Sequence, residues 1–234
     1  HETELWSLVF ILATFTFLCD VLDDPNKKVV LLATGAAVAS ILTRVSVGLG
    51  AVSAVIIVGL FIWKKKRPLS LVMIGGALSG VAIHCALNFA KMGSLFDLPG
   101  DRQVLTLTNP ERAIWFAGNN NSFFGVPFIP TTSFHYLRPD TIEFERLFPF
   151  IKFGPRADVF SSYPLESNTP SSSLTASATL LIVLAVIGLV VAFRKKLFVL
   201  LPLLIGSVVA AGPTLAIGFI AIRYLIDLLP GLIV

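Results

Sequence analysis

Apolar runs of bilayer-spanning length recur along this chain, and they constrain its fold more than any other feature. A membrane helix needs about 20 consecutive, mostly apolar residues. Such runs cover approximately residues 5–22, 29–43, 45–63, 70–90 and 174–193, and the tail 197–234 holds a sixth and the start of a seventh. Hydrophobic residues make up 55% of the chain and charged residues 14%, and the mean hydropathy is +0.85. A soluble domain of 234 residues could not cover its surface with so few charges. The sequence therefore predicts an all-α polytopic protein of the plasma membrane, with about six to seven transmembrane helices. Its first residue is His1 and it stops at Val234 inside an apolar run. It reads as a piece of a longer polypeptide whose last span is truncated.

The charges predict orientation. Lys64, Lys65, Lys66 and Arg67 close the third span, and Arg194, Lys195 and Lys196 close the fifth. Both clusters satisfy the positive-inside rule from the cytoplasm, and Lys27 and Lys28 fit there too. The N-terminal "HETE", the junction at Arg44, Arg223 and all of 91–172 then face outward. The division is 1–90 for four spans, 91–172 for an extracytoplasmic segment and 173–234 for the remaining spans. The net charge of +4 sits at span ends, which gives orientation and no nucleic-acid surface. Cys19 and Cys85 lie in apolar runs without metal-ligand or disulfide spacing, so neither a metal nor another cofactor is expected.

Two spans are thin. Residues 29–43 are short for a lipid-exposed helix, and Gly212 and Pro213 interrupt the sixth span. Short or broken helices are tolerated beside protein or a water-filled cavity, so a cavity opening outward would explain both. The segment 91–172 is too aromatic for solvated coil. Asn109 before Pro110 and Glu111 is a helix-start signal, predicting a short helix to about Ala117 that stops at Gly118, with "GNNNS" as a turn. The Pro- and Phe-rich strings that follow suit interfacial helices and coil at headgroup depth.

Polar residues at the outer ends of the spans are the binding candidates. Arg44, followed by Gly48 and Gly50, suits bidentate recognition of a phosphate, or snorkelling to headgroups. His84 and Asn88 lie one helical turn apart on a shared face; they could contact a substrate or bond neighbouring helices. Asp101 and Arg102, with Asp97, Glu111 and Arg112 nearby, could offer a general base or pair on the surface. His1, Glu2 and Glu4 could hold a metal or a sugar hydroxyl, or form an exposed polar end, and Arg223 beside Tyr224 could contact an anionic lipid-linked group or a headgroup. No nucleotide loop, nucleophile elbow or zinc signature is present, and no catalytic residue is identified.

The strings "LNFAKMGSLFDLPGDRQV", "PTTSFHYLRPDTIEFERLFPFIKF", "RYLIDLLPGL" and "GAAVASILTRVSVGLG" resemble a group of actinobacterial multi-spanning proteins similar to the GT-C type of membrane glycosyltransferase. The resemblance implies transfer of a sugar from a polyprenyl-phosphate donor to a cell-envelope acceptor on the outer face. It also implies that Arg44 and Arg223 hold the donor phosphate, and that His84, Asn88, Asp101 and Arg102 line the cavity. Membrane lipid and the polyprenyl-phosphate-linked sugar are the implied partners. The acidic base of such enzymes lies in a first outer loop near the chain's start, and no matching loop precedes His1. The alternative is a non-enzymatic membrane protein, either a transporter or a scaffold subunit of an envelope complex; no internal repeat of transporter type is visible.

Overall fold

A computed structural model describes residues 2–95, 100–153, 165–168 and 171–233. Asp97 lies outside the described residues. The chain is mostly helical and divides into two compact units.

The first unit comprises His1–Asn88, Leu180–Gly212 and Ile226–Val234. Its elements begin with α1 (Glu2–Asp23), α2 (Lys27–Thr43), α3 (Val45–Ile62) and α4 (Arg67–Met92, whose last turn belongs to the second unit). Asn26 caps α2, its side chain accepting from the Val29 amide at 3.1 Å. Helix α1 packs on α2 and α3. Ile11 and Leu18 of α1, Ala33 and Ala37 of α2, and Ala51 and Val55 of α3 form the centre of the core. Hydroxyls inside the apolar helices bond back to their own backbone: Thr14 Oγ1 donates to the Phe10 carbonyl at 2.8 Å and Thr43 Oγ1 to Ala39 at 2.7 Å. Ser70 Oγ instead crosses from α4 to the Gly59 carbonyl of α3 at 2.6 Å.

The faces turned away from this core are apolar as well. Leu5, Trp6, Leu31, Phe61, Leu71 and Leu87 are all exposed, an arrangement suited to lipid. Among the described residues four helical stretches are long and apolar enough to cross a membrane: α1, α3, α4 and Phe198–Leu215. Phe198–Leu215 combines a 3₁₀ turn (Phe198–Leu200) with helix α10 (Leu201–Leu215). The other two anticipated spans are shorter helices, α2 with 17 residues and α9 (Thr179–Arg194) with 16. The fifth span does not begin at 174 as one helix. A separate turn, α8 (Leu174–Ser177), ends at Ala178 before α9 starts. Nor does Pro213 break α10, which runs through it to Leu215. Placed two residues from the helix end, the proline forfeits one ladder bond and interrupts nothing beyond it.

Small residues let α3 and α10 approach closely. A Cβ on Gly50 would collide with the Gly206 carbonyl, and one on Gly206 would lie 2.7 Å from the Gly50 oxygen and 2.9 Å from Ala54 Cβ. Gly50/Ala54 and Gly206/Ala210 thus form facing small-xxx-small pairs, the usual device for helix contact in a membrane.

The second unit comprises Phe89–Thr179 and Pro213–Leu225, so the segment 91–172 recruits a stretch from beyond α9 that its sequence boundaries did not include. Its helices are α5 (Val104–Thr108), α6 (Pro110–Gly118) and α7 (Ile129–Leu137). The Asn109 side chain accepts from the Arg112 amide at 3.2 Å, so the anticipated cap and helix are both present. Asn120 and Asn121 follow in the left-handed region, with φ of 54° and 55°. The chain is not purely α. Strand β1 (Ile142–Phe144) pairs antiparallel with β2 (Ile151–Phe153), and β3 (Ser167–Asn168) pairs parallel with β4 (Phe219–Ile220). β1 and β2 draw on Ile and Phe, which favour extended backbone. Phe116, Phe123 and Ile217, flanked by Trp115, Phe219 and Tyr224, form the core of this unit. Gly218 must be glycine there, because a Cβ would meet the Trp115 ring at 2.5 Å.

Candidate functional site

Arg44 is a one-residue corner between α2 and α3, with extended backbone at φ −154° and ψ 120° that ends one helix and starts the next. Gly48 makes this corner possible: a Cβ there would overlap the Ile41 backbone. Gly48 and Gly50 are therefore accounted for by helix packing, and neither needs a bound phosphate to explain it.

The Arg44 side chain meets a carboxylate 183 positions later in the sequence. Its Nε lies 2.8 Å from Asp227 Oδ1, and its Nη2 donates to Asp227 Oδ2 at 2.9 Å. Asp227 sits on the short helix α11 (Leu225–Leu228). Ser46 Oγ, in the first turn of α3, donates to the same Oδ2 at 3.0 Å. Glu4, from the first turn of α1, brings Oε1 to 3.7 Å from Arg44 Nη1. The side chains are 17% exposed for Arg44, 8% for Glu4 and 1% for Asp227. This ion pair is accordingly buried, and its members cannot be solvated separately without cost. One guanidinium faces two carboxylates, so the four side chains tie the start of α1, the α2–α3 corner and α11 together around a fixed charge. All four belong to the first unit.

The other anticipated residues lie elsewhere. His84 and Asn88 are half-buried on the stripe of α4 that also carries Ala77 and Gly80, which is the packed face. Arg223 belongs to the second unit, in a 3₁₀ turn (Ile222–Tyr224), with its guanidinium carbon 5.1 Å from the Tyr224 ring centre and Nη2 3.3 Å from the Tyr224 hydroxyl. Asp101 and Arg102 fall in another 3₁₀ turn (Gly100–Arg102) of that unit, where Asp101 is exposed. Of the six residues anticipated for binding, Arg44 is the one in the buried cluster. Asp227 and Ser46 are the members that sequence reasoning passed over. The signal for Asp227 was an isolated acid inside the apolar run "YLIDLLPGLIV", where a lone charge calls for a partner.

The second unit has its own buried cation. Arg112 donates from Nε to Thr106 Oγ1 at 3.1 Å, from Nη1 to Glu166 Oε1 at 2.8 Å and from Nη2 to Gln103 Oε1 at 3.1 Å. Its guanidinium also lies 4.9 Å from the Phe123 ring centre. With Nε, Nη1 and Nη2 each engaged, Arg112 organises α5, α6 and the segment bearing Glu166. Among the described residues no group of three or more His, Cys, Asp or Glu side chains could hold a metal ion.

Compared with known proteins, the chain matches no family model, no curated protein and no solved structure.

Proposed function

We propose that this chain belongs to a membrane glycosyltransferase of GT-C type, moving a sugar from a polyprenyl-phosphate donor to a cell-envelope acceptor on the outer face. The observation that carries the proposal is the Arg44–Asp227 pair, a charged, hydrogen-bonded unit at the end of apolar helices, where ionisable residues are expensive and usually functional. The orientation from the basic clusters puts the start of α1 and the α2–α3 corner on the same outer side. That Glu4 and Arg44 approach each other supports this arrangement. In the same reading α2, α9 and the tail complete about six to seven spans, and residues 91–172 lie outside the plasma membrane.

The chemistry asks for a cation and a base together. The acceptor hydroxyl oxygen bonds to the anomeric carbon while the bond from that carbon to the phosphate oxygen breaks. Polyprenyl phosphate departs with the electron pair, and the hydroxyl proton must be taken up. Arg44 supplies fixed positive charge for the departing phosphate. Because its fork is held by Asp227, it reaches phosphate by exchanging one anion for another. That exchange releases the Asp227 carboxylate to accept the acceptor's proton, so the buried charge stays balanced. Arg223 remains a proposed contact for the anionic donor.

Radiolabelled polyprenyl-phosphate sugar, added to membranes containing the full-length protein, tests the reading directly. Label appearing in an envelope glycan supports it, and absence of transfer to any envelope acceptor removes it. The direct ion pair of Arg44 with Asp227 favours one rival, a scaffold in which the pair only clamps helices. The double substitution Arg44→Met/Asp227→Leu separates the two, because a scaffold survives an apolar replacement of a buried ion pair and a transferase does not.

A further inference from the structure

We propose that the β1–β2 hairpin is a membrane-dipping finger, whose aromatic tip enters the outer leaflet of the phospholipid bilayer at headgroup depth. The two strands form a ladder that pairs Ile142 with Phe153, Glu143 with Lys152 and Phe144 with Ile151. The turn joining them is ordered: the Phe150 amide donates to the Leu147 carbonyl at 2.8 Å and the Glu145 amide to the Phe150 carbonyl at 2.9 Å. Such a turn should hide its apolar side chains or consist of polar ones. Instead Phe144 is 85% exposed, Leu147 79% and Phe148 86%, and Phe150 and Ile151 are exposed as well.

Lipid is the occupant that the charges select. Glu143 stands opposite Lys152, and Glu145 lies 3.7 Å from Lys152 Nζ, so Lys152 is met by carboxylates within the hairpin. Arg146, at the tip beside Leu147 and Phe148, is exposed and has no ion-pair partner among the described residues. A lone cation next to aromatic and aliphatic side chains matches the phosphate layer above the acyl chains, where Phe and Leu enter and Arg stays with the headgroups. The hairpin lies in a stretch of chain between the apolar helices α4 and α9. This inference rests on the proposed orientation for its choice of leaflet and does not depend on glycosyl transfer.

The test uses the full-length protein in phospholipid vesicles, with Cys19 and Cys85 replaced by Ala. A nitroxide on Phe148→Cys is compared with one on Asn121→Cys, in the polar turn after α6. Power saturation then measures collision with oxygen, which concentrates in lipid, and with a nickel chelate, which stays in water. The Phe148 label should show an oxygen-to-nickel ratio several-fold above that of the Asn121 label. Arg146→Glu should lower that ratio by placing an anion in the phosphate layer. Equal ratios at the two positions would put the tip in water and overturn the proposal. A Phe148 label shielded from both reagents would mean that protein covers the tip, which overturns it equally.

Discussion

Removing the Arg44 side chain is the perturbation whose outcome the structure defines most sharply. In Arg44→Ala the Asp227 carboxylate, 1% exposed, keeps the Ser46 hydroxyl bond at 3.0 Å and loses both guanidinium contacts. Two unit charges about 4 Å apart attract by roughly 4 kcal/mol at an effective dielectric of about 20. Breaking a buried pair from one side is found to cost about 3–5 kcal/mol, because the stranded charge stays desolvated. At about 2–4 °C per kcal/mol for a chain of this size, purified Arg44→Ala should unfold roughly 10 °C below the parent. The double substitution Arg44→Met/Asp227→Leu removes both charges and fills the space, so it should recover most of that loss. Thermal unfolding of the three proteins in one detergent reads the coupling directly. If Arg44→Ala unfolds with the parent, the pair is not buried as described. If the double variant is no more stable than Arg44→Ala, stranded charge is not what the single variant suffers from.

Other substitutions follow the same reasoning. Gly50→Ala drives a methyl group into the Gly206 carbonyl and Ala210, and should cost about 1–3 kcal/mol, seen as a lower midpoint in thermal unfolding. Gly75→Ala, where a Cβ meets nothing within 4 Å, should leave that midpoint unchanged or slightly raised. Arg112→Lys cannot reproduce three differently directed bonds to Thr106, Glu166 and Gln103. It should cost about 1.5–3 kcal/mol and speed proteolysis within residues 100–153 while cleavage elsewhere stays slow. In intact cells, a membrane-impermeant maleimide should label Asn121→Cys and leave Lys65→Cys unlabelled; the opposite pattern would invert the proposed orientation.

The apolar runs made α1, α3 and α4 legible in the sequence, since length and hydropathy suffice to specify a lipid-facing helix. The Asn109-Pro110 start of α6 was legible because capping is a local event. Contacts that join distant parts of the chain were not. Nothing near Arg44 in the sequence announces that its partner is Asp227, and the pattern around Arg112 does not point to Glu166. The packing role of two glycines was hidden for a related reason. Gly48 and Gly50 beside an arginine suit an anion-binding turn, and only the positions of Ile41 and Gly206 reveal that both also make close packing contacts. Pro213 misled, because a proline near a helix end removes too little of the ladder to stop it. Strands β3 and β4 are two residues each, too short to leave a periodic signal.

The Arg44–Asp227 contact also limits how this site could perform glycosyl transfer, and that limit gives the sharpest discrimination between a catalytic and a structural pair. If Arg44 moved to a donor phosphate while Asp227 stayed charged, a carboxylate at 1% exposure would lose its guanidinium partner, a state that costs several kcal/mol. Under the proposed function, uptake of the acceptor's proton by Asp227 would remove that cost at the moment it arises. Asp227→Asn is therefore the informative variant. It keeps the shape and an acceptor oxygen for Arg44 but cannot take a proton from the acceptor hydroxyl. A catalytic pair predicts that Asp227→Asn binds polyprenyl phosphate at least as well as the parent, since Arg44 is less tightly held, while transfer falls by about 10²-fold or more, the usual worth of a positioned base. A purely structural pair predicts that binding and transfer fall together, in proportion to the folded protein remaining. Parallel losses in the two assays would exclude Asp227 as the base even if the chain proves to be a transferase.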